Sequence, residues 1–215
     1  MKSYTAYLFD CDGTLIDTTE LIYQCFVYSC KKYGDLEVTR EEVFANIGIP
    51  LRNQLVHFLG PASDEKLSEI TKAHMDYQLK IYEDYLGLFP GVTETLSQLK
   101  ANEKKLGVVT SRKTFTLNLY FKHTGILQFF DTLITPELTE KHKPSPEPAL
   151  EALKRLSCSA EETLFVGDSI YDIECGVKAG MDTAFVTWSR IDPDSLTIKP
   201  AYIINEMNEL LKIEK

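Results

Sequence analysis

The residues able to do chemistry in this chain stand at the ends of apolar runs. The first group, Asp10-Cys11-Asp12-Gly13-Thr14, follows Thr5 to Phe9, an apolar and aromatic run that reads as a short buried strand. Two carboxylates one residue apart therefore sit on the strand's C-terminal tip, where α/β proteins bind ligands. Gly13 permits a sharp turn and brings peptide N–H groups close to an anion. Carboxylates beside an anion site need a cation to hold the anion there. Mg²⁺ suits this place, because it takes oxygen ligands and is commonly shared between carboxylate and phosphate. Asp-Gly is equally a turn pair, and on these residues alone the two readings weigh the same.

The other runs decide between them. Lys105 to Val109 ends in Thr110-Ser111-Arg112, and Thr163 to Val166 ends in Gly167-Asp168-Ser169, with Asp172 one turn further on. A third run, Thr132 to Thr135, is followed by Lys141-His142-Lys143-Pro144. Singly, Thr110 and Asp168 could be helix caps and Lys143 a solvated loop charge. In a right-handed doubly wound sheet all four tips face one edge. A hydroxyl, a lysine and several carboxylates gathered there describe a Mg²⁺-phosphate site.

The elements that must position these residues are legible from periodicity and punctuation. Asp17-Thr18-Thr19-Glu20 opens a helix to about Tyr33, stopped by Gly34. Thr39-Arg40-Glu41-Glu42 is a capping box for a second helix, to about Ile47. Leu51 to Leu59 and Asp64 to Tyr85, the latter capped by Ser63, complete a helical block without a clear strand. Beyond it the pattern alternates. Helices from Pro90-Gly91 to Asn102, Lys113 to His123, Pro146 to Leu156 and Ile170 to Ala179 separate the strands named above from Thr183 to Val186 and Ala201 to Ile204, and a last helix reaches Ile213. This predicts an α/β fold: a Rossmann-like parallel sheet core, residues 1–16 and 88–215, interrupted by an all-helical cap domain, residues 17–87.

Composition narrows the partners. A net charge of −9 and a pI near 5.0 oppose nucleic acid and anionic membrane, both of which need basic surface. Five cysteines without a CxxC pair argue against zinc and against a disulfide framework. Neither a secretory segment nor a membrane-length apolar run is visible, so the expectation is a cytoplasmic protein, monomer or homodimer.

The motifs together resemble those of the haloacid dehalogenase superfamily of phosphohydrolases, over essentially the whole chain. Asp10-Cys11-Asp12-Gly13-Thr14, Val109-Thr110-Ser111, Lys143-Pro144-Ser145-Pro146 and Gly167-Asp168-Ser169-Ile170-Tyr171-Asp172 carry the resemblance. It implies Asp10 as nucleophile and metal ligand. Asp12 would lend its backbone carbonyl to Mg²⁺ and keep its side chain free as general acid, then base. Thr110 and the N–H of Ser111 would hold the phosphoryl group, with Gly13 and Thr14 in the same loop. Lys143 would neutralise the transferring oxygens. Asp168 would be a further metal ligand, and Asp172 would hold Lys143 or a metal-bound water. Asp12 also separates this chain from the dehalogenase and phosphonate-cleaving branches, which lack that second aspartate.

The helical insert is similar to the cap of phosphoglycolate phosphatases, β-phosphoglucomutases and bacterial pyrophosphatases. The pyrophosphatase branch, close kin of phosphoglycolate phosphatase, is most similar at Leu15 to Ile22, Val186 to Ser189 and Ala201 to Met207, although Ser189-Arg190 stands where many relatives have glycine. Gly48-Ile49-Pro50-Leu51-Arg52 matches the cap's specificity loop. Arg52 would fork onto a remote anion of the substrate, and a surface arginine opening a helix reads equally well. His57, His74 and Lys80 are weaker cap candidates, expected to be solvated. The implied reaction is Mg²⁺-dependent hydrolysis of a small phosphorylated metabolite (phosphoglycolate, pyrophosphate or a sugar phosphate). The alternatives are a phosphomutase like β-phosphoglucomutase and a catalytically silent regulatory member.

Overall fold

The structure is a computed structural model describing residues 4–47, 50–189 and 191–213. Gly48 and Ile49 of the expected specificity loop, and Arg190, lie outside the described residues. The chain divides into two compact units, Met1–Asp17 with Gly87–Lys215, and Thr18–Leu86.

The first unit is built on a parallel sheet of β1 (Ala6–Phe9), β4 (Lys105–Val109), β5 (Thr132–Ile134), β6 (Thr163–Gly167), β7 (Asp182–Val186) and β8 (Tyr202–Ile204), in the order β5-β4-β1-β6-β7-β8. Strand β1 is central. Phe9 is in register with Val108 on one side and Val166 on the other, so the tips of β4, β1 and β6 lie side by side. The chain runs outward from β1 through β4 to β5, then returns to the opposite flank of β1. That reversal opens the crevice in which open α/β sheets bind ligands.

Alternation along β1 explains its burial on both faces. Ala6 and Leu8 join a core with Val109, Ile134, Phe165 and the apolar sides of α7 (Glu147–Leu156) and α8 (Ile170–Lys178). Tyr7 and Phe9 face the other way, where Phe9 meets Phe130 edge-on and Phe130 packs on Phe121 of α6 (Thr114–His123). Helix α5 (Val92–Ala101) buries Val92, Leu96 and Leu99. The expected C-terminal helix is of 3₁₀ type, Met207–Lys212, with Glu209 folding back to accept the N–H groups of Asn205 and Glu206.

The second unit is all-helical: α1 (Thr19–Gly34), α2 (Arg40–Phe44), α3 (Leu51–Leu59) and α4 (Asp64–Tyr85). Phe26, Cys30, Val43, Leu55 and Ile70 form its core. The Thr39 capping box and the Ser63 cap are both formed. Helix α2 ends at Phe44, short of Ile47, and passes into turn.

Two short strands were not anticipated. Ile16–Asp17 (β2) and Gly87–Leu88 (β3) pair antiparallel where the chain passes between the units. That pairing assigns Asp17 and Gly87 to the sheet-bearing unit, one residue inside the expected boundaries of 17–87. Among the described residues, no helix is long and apolar enough to cross a membrane, and all five cysteines are free thiols.

Candidate active site

Asp10 follows directly on β1 and its N–H donates to the carbonyl of Val166, which fixes it at the sheet edge. It is 7% exposed. Lys143 arrives from the loop after β5 and donates to Asp10 Oδ1 at 2.5 Å and to Asp172 Oδ1 at 2.6 Å. That loop is stapled by Glu147, whose carboxylate accepts the N–H groups of Glu140 (2.7 Å) and Lys141 (3.2 Å). Asp172 sits in the first turn of α8. Its Oδ2 accepts from the backbone N–H and the hydroxyl of Ser169, closing a capping box, so one carboxylate caps a helix and orients the lysine. A Cβ at Gly167 would collide with the Asp172 carboxyl, so the close approach of strand and helix here requires glycine.

Asp168 follows β6 directly and completes the group. One oxygen from each of Asp10, Asp168 and Asp172 lies within 4.8 Å of the others. Thr14 Oγ1 donates to Asp168 at 3.4 Å. Gly13 has φ +81°, and a Cβ on it would collide with the Asp168 carboxylate. Glycine thus meets two demands at that position, a left-handed backbone and an open face toward a carboxylate.

Three carboxylates around one ammonium leave two negative charges uncompensated, the charge of one divalent cation. The titration behaviour reflects the same deficit. Burial first, and then repulsion from Asp172 and Asp12, push Asp10 up to about 7 against the pull of Lys143. Asp168 is pushed well above the carboxylate range by burial and by Asp10 and Asp172. Burial works to lower Lys143, but its two aspartates outweigh it and the ammonium is held charged. Hard oxygen donors with surplus negative charge fit Mg²⁺. Asp10 and Asp168 are the carboxylates available to it, since both oxygens of Asp172 are already engaged.

Thr110 lies at the tip of β4, buried, and its Oγ1 accepts the N–H of Arg112 at 3.1 Å. Among the described residues its own proton has no acceptor, so it can be donated to an anion. Ser111, beside it, is exposed.

Asp12 is the residue whose surroundings differ from expectation. Its side chain is not free. Arg112 forks onto it, Nε to Oδ2 at 2.9 Å and Nη2 to Oδ1 at 2.5 Å. The reason is burial: the Arg112 side chain is only 15% exposed, and a desolvated guanidinium needs a carboxylate. Sequence reasoning passed over Arg112, although its place directly after Thr110-Ser111 on a strand tip was the available signal. It also gave no role to Trp188, whose Nε1 donates to the carbonyl of Thr14, or to Ser189, whose hydroxyl donates to the carbonyl of Asp168; together they tie the loop after β7 to the two site loops.

The insert's candidates belong to the second unit. Arg52, half-exposed, pairs there with Asp64, which is almost fully exposed. His57 and Lys80 are exposed. His74 is corrected: it is buried at 4% exposure, its Nδ1 lies 3.0 Å from Ser29 Oγ, and burial lowers it to about 4. It faces Phe26 on α1 and acts as a core residue.

Carboxylates, an ammonium and a hydroxyl thus converge on the C-terminal edge of a parallel sheet. The chain belongs to the haloacid dehalogenase-like hydrolase family, whose pattern it matches over residues 7–186. It is similar along nearly its whole length to proteins named pyrophosphatase PpaX. The one from Bacillus velezensis is 37% identical over 213 residues, covering 99% of this chain and 97% of that one. The one from Anoxybacillus flavithermus is 38% identical over 210 residues, covering 96% and 94%. Among solved structures, a "predicted phosphoglycolate phosphatase" from Haemophilus somnus shares the fold with a TM-score of 0.91, each chain covered fully at 23% identity.

Proposed function

We propose that the chain is a Mg²⁺-dependent phosphohydrolase acting on a small phosphorylated metabolite, with pyrophosphate the foremost candidate and phosphoglycolate or a sugar phosphate next. The observation that carries this reading is the placement of Lys143 between Asp10 and Asp172, with Asp168 beside them. An ammonium holds a carboxylate oriented there, next to a place suited to a cation. The names of the full-length relatives direct it toward pyrophosphate.

Asp10 attacks phosphorus through a carboxylate oxygen while the bond to the leaving oxygen breaks and Asp12 supplies that oxygen's proton. The product is an aspartyl-phosphate. Water then attacks the same phosphorus, Asp12 takes its proton, and the bond to Asp10 breaks. Thr110 Oγ1 and the Ser111 N–H donate to the phosphoryl oxygens, and Lys143 balances charge growing on them and on Asp10. Asp10 and Asp168, with the Asp12 carbonyl, would hold Mg²⁺, which supplies electrostatic stabilisation of the phosphoryl group. The helical unit acts as the cap, shielding the reaction from bulk water and contributing Arg52 toward a remote substrate anion. Exchanging an exposed Asp64 partner for substrate costs Arg52 little.

The test is hydrolysis of a panel of phosphorylated metabolites, pyrophosphate and phosphoglycolate included, ranked by kcat/KM with Mg²⁺ and with chelator. Metal-dependent release of inorganic phosphate with one clear preference supports the reading. Isomerised sugar phosphate as the product in place of inorganic phosphate would make the chain a mutase, and no turnover of any member would defeat the proposal.

A further inference from the structure

Arg112 has more binding capacity than Asp12 uses. A guanidinium carries five N–H donors. Among the described residues, two reach Asp12, through Nε and Nη2, and Nη1 donates to none. The group is held in place independently of that carboxylate: its Cζ lies over the Tyr120 ring, 4.4 Å from the centroid, and its backbone N–H is anchored on Thr110 Oγ1. Its partner Asp12 is one-third exposed, so solvent or substrate reaches the pair from that side.

The position of the pair gives this capacity a use. On the phosphohydrolase reading above, Asp12 meets the oxygen that leaves. A cation forked onto Asp12 is therefore beside the leaving half of the substrate, whereas Lys143 serves the nucleophile. The fork that fits a carboxylate also fits a phosphate, which presents more charge and more acceptor oxygens. Transfer of the fork to such an anion would also take the guanidinium off the Asp12 oxygens. Both changes favour substrates whose leaving part is itself an anion, and neither is available to one whose leaving part carries no second anion.

We infer that Arg112 is a specificity-determining residue that binds an anionic leaving group, a phosphate or a carboxylate-bearing fragment, by shifting its guanidinium fork from Asp12 to that anion. The proposal rests on the phosphohydrolase reading and selects among its substrates: pyrophosphate and phosphoglycolate carry the second anion, p-nitrophenyl phosphate does not.

The experiment compares wild type, Arg112→Lys and Arg112→Met with Mg²⁺ on pyrophosphate, phosphoglycolate and p-nitrophenyl phosphate. The readout is the ratio of kcat/KM between a doubly anionic substrate and p-nitrophenyl phosphate. Arg112→Met should lower that ratio by roughly ten- to a hundredfold, mainly through KM, on the scale of one charged hydrogen bond. Arg112→Lys, which keeps the charge and loses the fork, should recover part of it. Calorimetric titration of methylenebisphosphonate, which carries two anions and is not hydrolysed, should show a matching loss of affinity that titration of inorganic phosphate does not. An unchanged ratio in both variants, or equal affinity losses for the two ligands, would overturn the inference and make Arg112 only a support for Asp12. Wild-type turnover of p-nitrophenyl phosphate tests the phosphohydrolase reading separately. If it fails, the affinity comparison still decides whether Arg112 reads a second anion.

Discussion

The acidic cluster makes stability depend on pH and on the cation together, and the size of the effect follows from Asp10. Its carboxyl is raised from 3.8 to about 7, burial being the largest cause. A carboxyl that protonates more readily in the folded chain stabilises the fold fully below its unfolded pKa. That contribution is lost as pH rises through the folded value. Between pH 5 and pH 8 the loss from Asp10 alone is roughly 2–3 kcal/mol, at about 1.36 kcal/mol per unit. Asp168 acts in the same direction. His74 opposes them: lowered to about 4 by burial, it favours the folded chain as pH climbs from about 4 toward 6.5. A bare stability curve is therefore flattened, and the informative quantity is the gain on adding Mg²⁺. A divalent cation cancels the repulsion among the ionised aspartates and does nothing for His74. Thermal unfolding with EDTA or with Mg²⁺ should show a Tm gain larger at pH 8 than at pH 5 by roughly 4–10 °C for a chain of this size. In Asp10→Asn the EDTA form should be more stable at pH 8 than wild type, and the Mg²⁺ gain should be small at both values. An equal Mg²⁺ gain at the two pH values in wild type, or an unchanged gain in Asp10→Asn, would refute the charge-deficit argument.

Asp10→Asn should keep the fold and lose turnover, since an amide neither attacks phosphorus nor balances the cation; phosphate release near the wild-type rate would sink the mechanism. Asp12→Ala should lose most rate on esters with poor leaving groups and least on p-nitrophenyl phosphate, which a plot of log kcat against leaving-group pKa would reveal as a steeper slope. Gly13→Ala combines a left-handed backbone with a collision against Asp168, so a loss of roughly 1–3 kcal/mol in chemical denaturation and weaker Mg²⁺ activation are expected together. Arg52→Ala should cut kcat/KM roughly ten- to a hundredfold on a doubly anionic substrate; wild-type kinetics on every substrate would return it to the surface role its Asp64 pair suggests.

The residues legible in the sequence are those whose place is dictated by a strand tip. Asp10, Thr110 and Asp168 each follow an apolar run, and parallel strands put such tips on one edge whatever the loops do. Lys143 and Asp172 needed more, a loop of suitable reach and a first helical turn, but proline and cap signals marked both. Arg112 escaped because its role lies in the direction of a long side chain, which spacing does not encode. The strands at Ile16–Asp17 and Gly87–Leu88 escaped because two residues are too few to show a period. His74 escaped because its burial depends on how α1 packs on α4, and a lone histidine on a polar-looking helix carries no mark of that.

That two-residue pairing has a consequence for how the chain can be rebuilt. Ile16 faces Leu88 and Asp17 faces Gly87, so the points where the sheet-bearing unit sends the chain out and takes it back are neighbours, clasped by backbone hydrogen bonds. To that unit, residues 18–86 are a closed loop, and the entropy of closing a loop grows only with the logarithm of its length. The clasp therefore works as a socket. The closure cost to that unit depends only weakly on whether the segment filling it is long or short. On the function proposed above, grafting other inserts between Asp17 and Gly87 should change substrate preference and leave the residues of the sheet edge in place.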